Sequence, residues 1–294
     1  MAVRIVTDAC GDLPLSYIQE HDLTVFSFPV TIGGREYIIG PDTSDPRSIT
    51  KDDFYKLIAA GERATTAQIP LETYLDTFRS ILSAGDDAVY LCFSSGLSGT
   101  LNTARLACEE LRDEFPNNRI HIVDTLAASL GEGVLVIDAV QKLECDGCTA
   151  EQLAEYISAK VQKLKHWFTV NDLHYLAKGG RLSGSAAFVG TLLSVKPVMD
   201  VSAEGKLVPR EKVQGRKKAL RAIADKYLAQ GDPANQSLYI THAGCEEDVL
   251  FVKRYVEEKG GSVAMIEQIT PIIVAHTGLG IIAIFYYSDE PRNA

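Results

Sequence analysis

Four short stretches hold the residue types that chemistry needs. At 91–104, LCFSSGLSGTLNTA ends an apolar run in three serines and two glycines and passes at once into a helical pattern. Such a strand-to-helix loop gathers backbone N–H groups, hydroxyls and the positive end of a helix dipole around one point, which suits an anion such as a phosphate or a carboxylate. ERATTAQIP (62–70) places paired threonines before a proline and a helical run. AHTGLGIIAIFYY (275–287) places His276 and Thr277 before two glycines and a strand, and DLHYLAKGGRLSG (172–184) carries Lys178 and Arg181 around a glycine turn. Each stretch taken alone reads first as a cap, a turn or a solvated helix end.

Several sharper chemistries are disfavoured by the residues present. A phosphate-binding nucleotide loop needs a lysine after its glycines, and GTLNTA stands there instead. A GxSxG nucleophile elbow fails because Thr100 occupies the position of its second glycine. The six cysteines form no dense framework, so reduced thiols are the default. Cys145 and Cys148, in LECDGCTAEQL, form one CxxC read as an inter-helix turn, with no second pair to complete a zinc site. No metal or other cofactor is expected.

The elements that must position these residues follow one recurrent grammar. VRIVTD, DAVYLCFSS, RIHIVDT and SLYITHAG are short apolar, β-branched runs, each followed by a turn and an amphipathic stretch, as in βα units. In LNTARLACEELRDEF, Leu101, Ala104, Ala107, Cys108, Leu111 and Phe115 recur at helical spacing, marking one buried face. After about residue 165 the texture changes. KPVMDVSAEGKLVPREKVQ reads as two strands joined at Ala203–Lys206, GRKKALRAIADKYLAQ as a basic-faced helix ending near Gly231, and IIAIFYYS as a last strand. The expected fold is α/β with two domains: a mainly parallel βα domain over 1–165 and an α+β domain over 166–294, the ligand held between them.

Length and composition agree with that division. At 294 residues the chain exceeds what a single core usually fills. A net charge of −10 argues against a nucleic-acid footprint, which needs clustered Lys and Arg. The N-terminus MAVRIVTDACGD lacks a leader pattern and no run approaches a membrane span, so a cytoplasmic protein, with at most transient membrane contact, is expected.

Taken together and in order, TDACGDLP (7–14), TTAQIP (65–70), SSGLSGTLNTA (94–104), VDTLAASLGEG (123–133), LAKGGRLSG (176–184), KP (196–197) and HTGLG (276–280) resemble the DegV family across nearly the whole chain. The resemblance is to fatty-acid-binding members of the FakB type. It implies a non-enzymatic carrier that buries one long-chain fatty acid, of the C16–C18 class, in an apolar tunnel. The carrier presents the carboxylate to a separate FakA-like fatty acid kinase, which forms acyl phosphate for phospholipid synthesis. Carried over by position, the carboxylate ligands are Thr66, Ser98 and His276, with Ser94, Ser95 and Thr65 as supporting candidates in the hydrogen-bond shell. Two hydroxyls and an imidazole make physical sense there, because they supply donors to a desolvated carboxylate without a permanent charge that would trap it. A neighbouring carboxylate also favours the protonated imidazole. FVGTLL (188–193), Ile272 and Ile273 are the candidate chain-lining segments.

The chain departs from the family pattern at Ala67, Ile69 and Leu279, which bear on pocket shape, and at Gln214, where many relatives carry an arginine. Lys178, Arg181, Arg210, Lys212, Arg216, Lys217 and Lys218 form a basic set on an acidic chain, with Lys178, Arg181 and Arg216 as the kinase-docking candidates. Two other classes remain open. A serine hydrolase of acyl esters or thioesters would use Ser98 and His276 with Asp8 or Asp124 as the orienting acid. A sugar- or amino-acid-binding module would need a polar pocket.

Overall fold

The computed structural model describes residues 2–117, 119–183 and 195–294. VRIVTD forms β1 (Val3–Asp8), whose last four residues are buried, and a 3-10 turn over Ala9–Gly11 leads into α1 (Leu15–Glu20). The chain then makes β2 (Thr24–Phe26), β3 (Phe28–Ile32), β4 (Arg35–Ile39), α2 (Lys51–Ala59) and β5 (Ala64–Thr66). A run of βα units follows: α3 (Leu71–Ser83), β6 (Asp87–Cys92), α4 (Thr100–Leu111), β7 (Ile120–Asp124), α5 (Leu130–Asp146) and α6 (Ala150–Val161).

Strands β2, β1, β6 and β7 pair in that order, all parallel. A parallel sheet needs helices on its faces, and β6 shows the consequence: Ala88 to Cys92 are buried on both sides without alternation. On α4 the buried face is Leu101, Ala104, Ala107 and Leu111, joined by Thr100, while Cys108 and Phe115 are only partly covered. A three-stranded antiparallel sheet, β4-β3-β5, stands apart from the parallel one. The sequence reading assigned no strands between 24 and 39, although Gly33–Gly34 closes a two-residue hairpin there.

From residue 164 every described strand enters a second sheet. It is built from β8 (Leu164–Thr169), α7 (His174–Lys178), β9 (Val195–Val201), β10 (Leu207–Gln214), α8 (Arg216–Gln230), β11 (Leu238–His242), α9 (Glu246–Glu257), β12 (Val263–Gln268), α10 (Pro271–Thr277) and β13 (Ile282–Tyr287). The strand order is β10-β9-β8-β13-β11-β12, antiparallel throughout except between β11 and β12. Residue 165, where we propose to divide the chain, therefore lies inside β8, the first strand of this sheet.

Helix α5 joins the two halves. It packs against β1 and β6 of the parallel sheet and against β8 and β11 of the mixed one, so residues 130–137 are buried all round. That matches a helix buried on every face rather than along one stripe, the one acid of that stretch, Glu132, accepting from the Thr7 hydroxyl. One continuous core runs through the parallel sheet, α5 and the inner face of the mixed sheet. A second cluster, including Trp167, Leu220, Tyr227, Val252 and Ile284, lies on the outer face under α8 and α9. Cys145 sits in the last turn of α5 and is exposed; Cys148 follows the left-handed cap at Gly147, and both are free thiols. No helix among the described residues is long and apolar enough to cross a membrane.

Candidate functional site

Three segments far apart in sequence converge beside the α4 N-terminus. Thr66 ends β5, an edge strand whose side chains alternate, so Thr66 is half-buried toward α10 while Thr65 points out and is exposed. Ser98 stands in the loop between β6 and α4. His276 lies in the last turn of α10, a helix started by Thr270, whose hydroxyl accepts from the Ile272 amide, and by Pro271 at its first position. The helix stops at Gly278, where φ is +69° and an added Cβ would lie 2.7 Å from the Tyr175 ring. Only glycine satisfies both the left-handed backbone and that approach. The HTG triplet thus ends the helix and turns the imidazole inward.

Thr66 Oγ1 and His276 Nε2 are hydrogen-bonded at 2.9 Å. Ser98 Oγ contacts Thr100 Oγ1 at 2.7 Å and accepts from the Thr100 amide at 3.3 Å. Thr66, Ser98 and His276 line one cavity together with Arg181, against a mainly apolar wall that includes Phe28, Phe93, Leu97, Leu176, Ile272 and Ile273. The cavity has a volume of about 70 Å³. That accommodates a ligand's head but falls well short of the ~300–1,000 Å³ of an ordinary small-molecule pocket. The expected lining segment 188–193 lies outside the described residues. A larger groove of about 470 Å³ shares no lining residue with this cavity.

Arg181 donates to the carbonyls of Leu97 and Gly179 and faces the same cavity. The glycine turn that carries Arg181 is legible in the sequence, whereas the direction of its side chain, into the cavity, is not. Burial, and secondarily the Arg181 charge, push the His276 pKa down to about 4. The imidazole is therefore neutral at pH 7 and shares one hydrogen with the Thr66 hydroxyl. The sign of the pH effect follows. Unfolded histidine titrates near 6.5, so as pH falls from about 6.5 toward 4 the unfolded chain takes up a proton that folded His276 refuses, and stability drops. Urea midpoints measured from pH 7 to 4 should fall less steeply in His276→Gln than in the parent. Parallel curves would show that His276 does not titrate as its surroundings dictate.

The other candidates are placed elsewhere. Ser94 is fully buried and donates to the Gly205 carbonyl at 2.8 Å, tying the loop after β6 to the β9–β10 turn. Ser95 is exposed, its amide bonded to Asp124. They do not line the cavity, and neither does Thr65. Asp8 accepts from the amides of Cys10 and Phe93 and from the Tyr90 hydroxyl, while Asp124 accepts from the amides of Ser95 and Leu126. Both acids are spent on loop geometry, and the hydrogen bond of the His276 ring is to Thr66 instead.

Of the basic set, Arg210 is paired with Asp200 at 2.8 Å. Arg216 is paired with Asp248 at 2.8 Å and donates to the Gly280 carbonyl at 2.6 Å, bracing the loop after α10. Arg216 is thus bound into the fold rather than free on the surface. Lys178, Gln214, Lys217 and Lys218 are exposed. Among the described residues no group of three or more His, Cys, Asp or Glu could hold a metal ion.

Comparison with known proteins extends this geometry. A family model described as "Uncharacterised protein, DegV family" matches residues 2–289. A DegV domain-containing protein of Lactococcus lactis, YteA, is 38% identical over 294 residues, covering all of both chains. A fatty-acid-binding DegV family protein from Thermus thermophilus superposes with a TM-score of 0.86 at 31% identity, over 98% of this chain and all of that one. A stearic acid-binding protein from Eubacterium ventriosum superposes at 0.84 with 25% identity, over 97% and 98% of the two chains.

Proposed function

The chain belongs to the DegV family, and from that premise we propose that it holds one long-chain fatty acid, with the carboxylate between Thr66, Ser98 and His276 and the acyl chain in an apolar channel continuing from the cavity. The observation that carries this reading is the convergence of two hydroxyls and a neutral imidazole on one mainly apolar cavity. A carboxylate drawn out of water is heavily penalised unless its oxygens are hydrogen-bonded. Those three side chains supply donors, and Arg181, which lines the same cavity, supplies positive charge. The approaching anion raises the proton affinity of His276 and offsets the burial that keeps it neutral. Each buried CH₂ contributes about 0.8 kcal/mol, so the chain dominates affinity while the polar groups set its direction. The fatty-acid binding named for the Thermus relative supports the class, and the stearic acid named for the Eubacterium relative supports the length.

The protein acts as a carrier and not as an enzyme, presenting the carboxylate to a separate, FakA-like fatty acid kinase that forms acyl phosphate for phospholipid synthesis. Arg181 inside the cavity and exposed Lys178 on the turn before it favour the negative charge that a phosphoryl donor brings. Native mass spectrometry of protein purified without added lipid is the decisive experiment. An increment equal to one fatty acid is expected. With ATP and a fatty acid kinase subunit, acyl phosphate should form only when both proteins are present. A polar metabolite in place of the acid would overturn the binding proposal, and acyl phosphate formed without this chain would overturn the presenting role.

A further inference from the structure

We propose that Asp12, Lys51 and Tyr55 are positioning residues that clamp the start of α10 and thereby set how long a ligand is retained behind His276; the retention half of this rests on the fatty-acid reading above. Three consecutive residues ahead of the helix are each held from the N-terminal half of the chain. Lys51 Nζ donates to the Gln268 carbonyl at 2.5 Å, Tyr55 Oη donates to the Ile269 carbonyl at 2.5 Å, and the Thr270 amide donates to Asp12 Oδ1 at 2.7 Å. The helix they precede has seven residues and carries Ile272, Ile273 and His276, all of which line the cavity. So short a helix has little stability of its own, and its anchoring decides where it sits. A displacement at Thr270 moves the part of the wall that α10 supplies.

The anchor is itself built at a conformational cost. Asp12 is 2% exposed and lies at φ +52°, and the Ser129 hydroxyl that donates to its other oxygen lies at φ +58°. Four non-glycine residues among those described have positive φ, and two of them form this bond. Ser129 also contacts Thr241 Oγ1 of β11 at 2.9 Å, so the Asp12 carboxylate links the turn after β1, the start of α5, the mixed sheet and α10. The 470 Å³ groove runs along Asp12, Lys51, Thr270 and Pro271. Open space therefore flanks that side, where these hydrogen bonds hold the junction, while Ile269 and Tyr55 pack into the hydrophobic core on the other.

The test uses the full-length protein freed of lipid, with cis-parinaric acid as the probe. In Lys51→Met and Tyr55→Phe, amides of 272–277 should exchange with deuterium faster while those of β6 do not, and release of the probe should accelerate about two- to tenfold per hydrogen bond. Asp12→Ala should behave likewise, and Asp12→Asn, which keeps an acceptor for the Thr270 amide, should restore most of the protection and the slow release. Unchanged protection of 272–277 in Lys51→Met and Tyr55→Phe overturns the clamp, as does loss of protection with release at the parent rate. If the parent takes up no cis-parinaric acid, the fatty-acid reading and the retention half fail, and the exchange measurements alone decide whether the clamp exists.

Discussion

His276→Ala is expected to weaken fatty-acid binding more than either Thr66→Val or Ser98→Ala. Each hydroxyl substitution removes one donor from a desolvated carboxylate, which costs about 1–3 kcal/mol, or roughly 5- to 150-fold in Kd. Loss of the imidazole does this and also leaves the Thr66 hydroxyl without the partner it has at 2.9 Å. The effect should therefore lie at the upper end of that range, near 100-fold. Displacement of a fluorescent fatty acid gives Kd, and the thermal midpoint at pH 7 checks that the fold survives. Parent-like Kd in all three variants would remove these residues from the ligand site. Ser98→Ala also separates carrier from hydrolase: if the parent cleaves acyl esters and this variant does not, Ser98 is a nucleophile and the carrier reading is wrong.

The second large effect is on stability. In Gly133→Ala the new Cβ would stand 2.3 Å from the Gly11 carbonyl oxygen and 2.9 Å from Leu130 Cδ1. The first of these is backbone, in the turn that ends β1, and it cannot swing aside as a side-chain tip would. Nor can α5 retreat, because its other face rests on β8 and β11. Forcing a methyl into such a junction costs about 1–3 kcal/mol or more, which for a chain of this size lowers the thermal midpoint by roughly 2–4 °C per kcal/mol. Urea unfolding is the measurement. A midpoint equal to the parent's would mean that α5 does not sit as closely on the Ala9–Gly11 turn as the geometry requires.

The local elements were legible where one physical signal dominated. Continuous apolar runs with β-branched residues marked β1, β6, β7 and β11, and 3.6-residue spacing marked α4. The turn at Ala203–Lys206 and the glycine at 231 bounded β9, β10 and α8. The three-stranded sheet was missed because its strands are three to five residues long and polar on one face, too short for alternation to stand out. Thr65 and Thr66 were weighed as cap residues, whereas they close an edge strand. The difference is a pairing with Val30 and Thr31 that lies some thirty-five residues back.

By itself the sequence determined the βα grammar, the change of texture near residue 165, the acidic charge that argues against nucleic acid, and a set of small polar motifs whose order carries the family resemblance. Those properties are encoded locally, in spacing of a few residues and in composition. Only the tertiary structure decided which motif residues face one another. Thr66 and His276 are 210 positions apart and meet because β5 and α10 pack together. Ser94 and Ser98 stand in one loop, yet one is turned to Gly205 and the other to the cavity. Arg181 and Arg216 look alike in the sequence, but one lines the cavity and the other is consumed by Asp248 and Gly280. The physical reason is that a side chain's direction and its partners are set by long-range packing and by the need to satisfy buried polar groups, and neither is written in the spacing of its own segment.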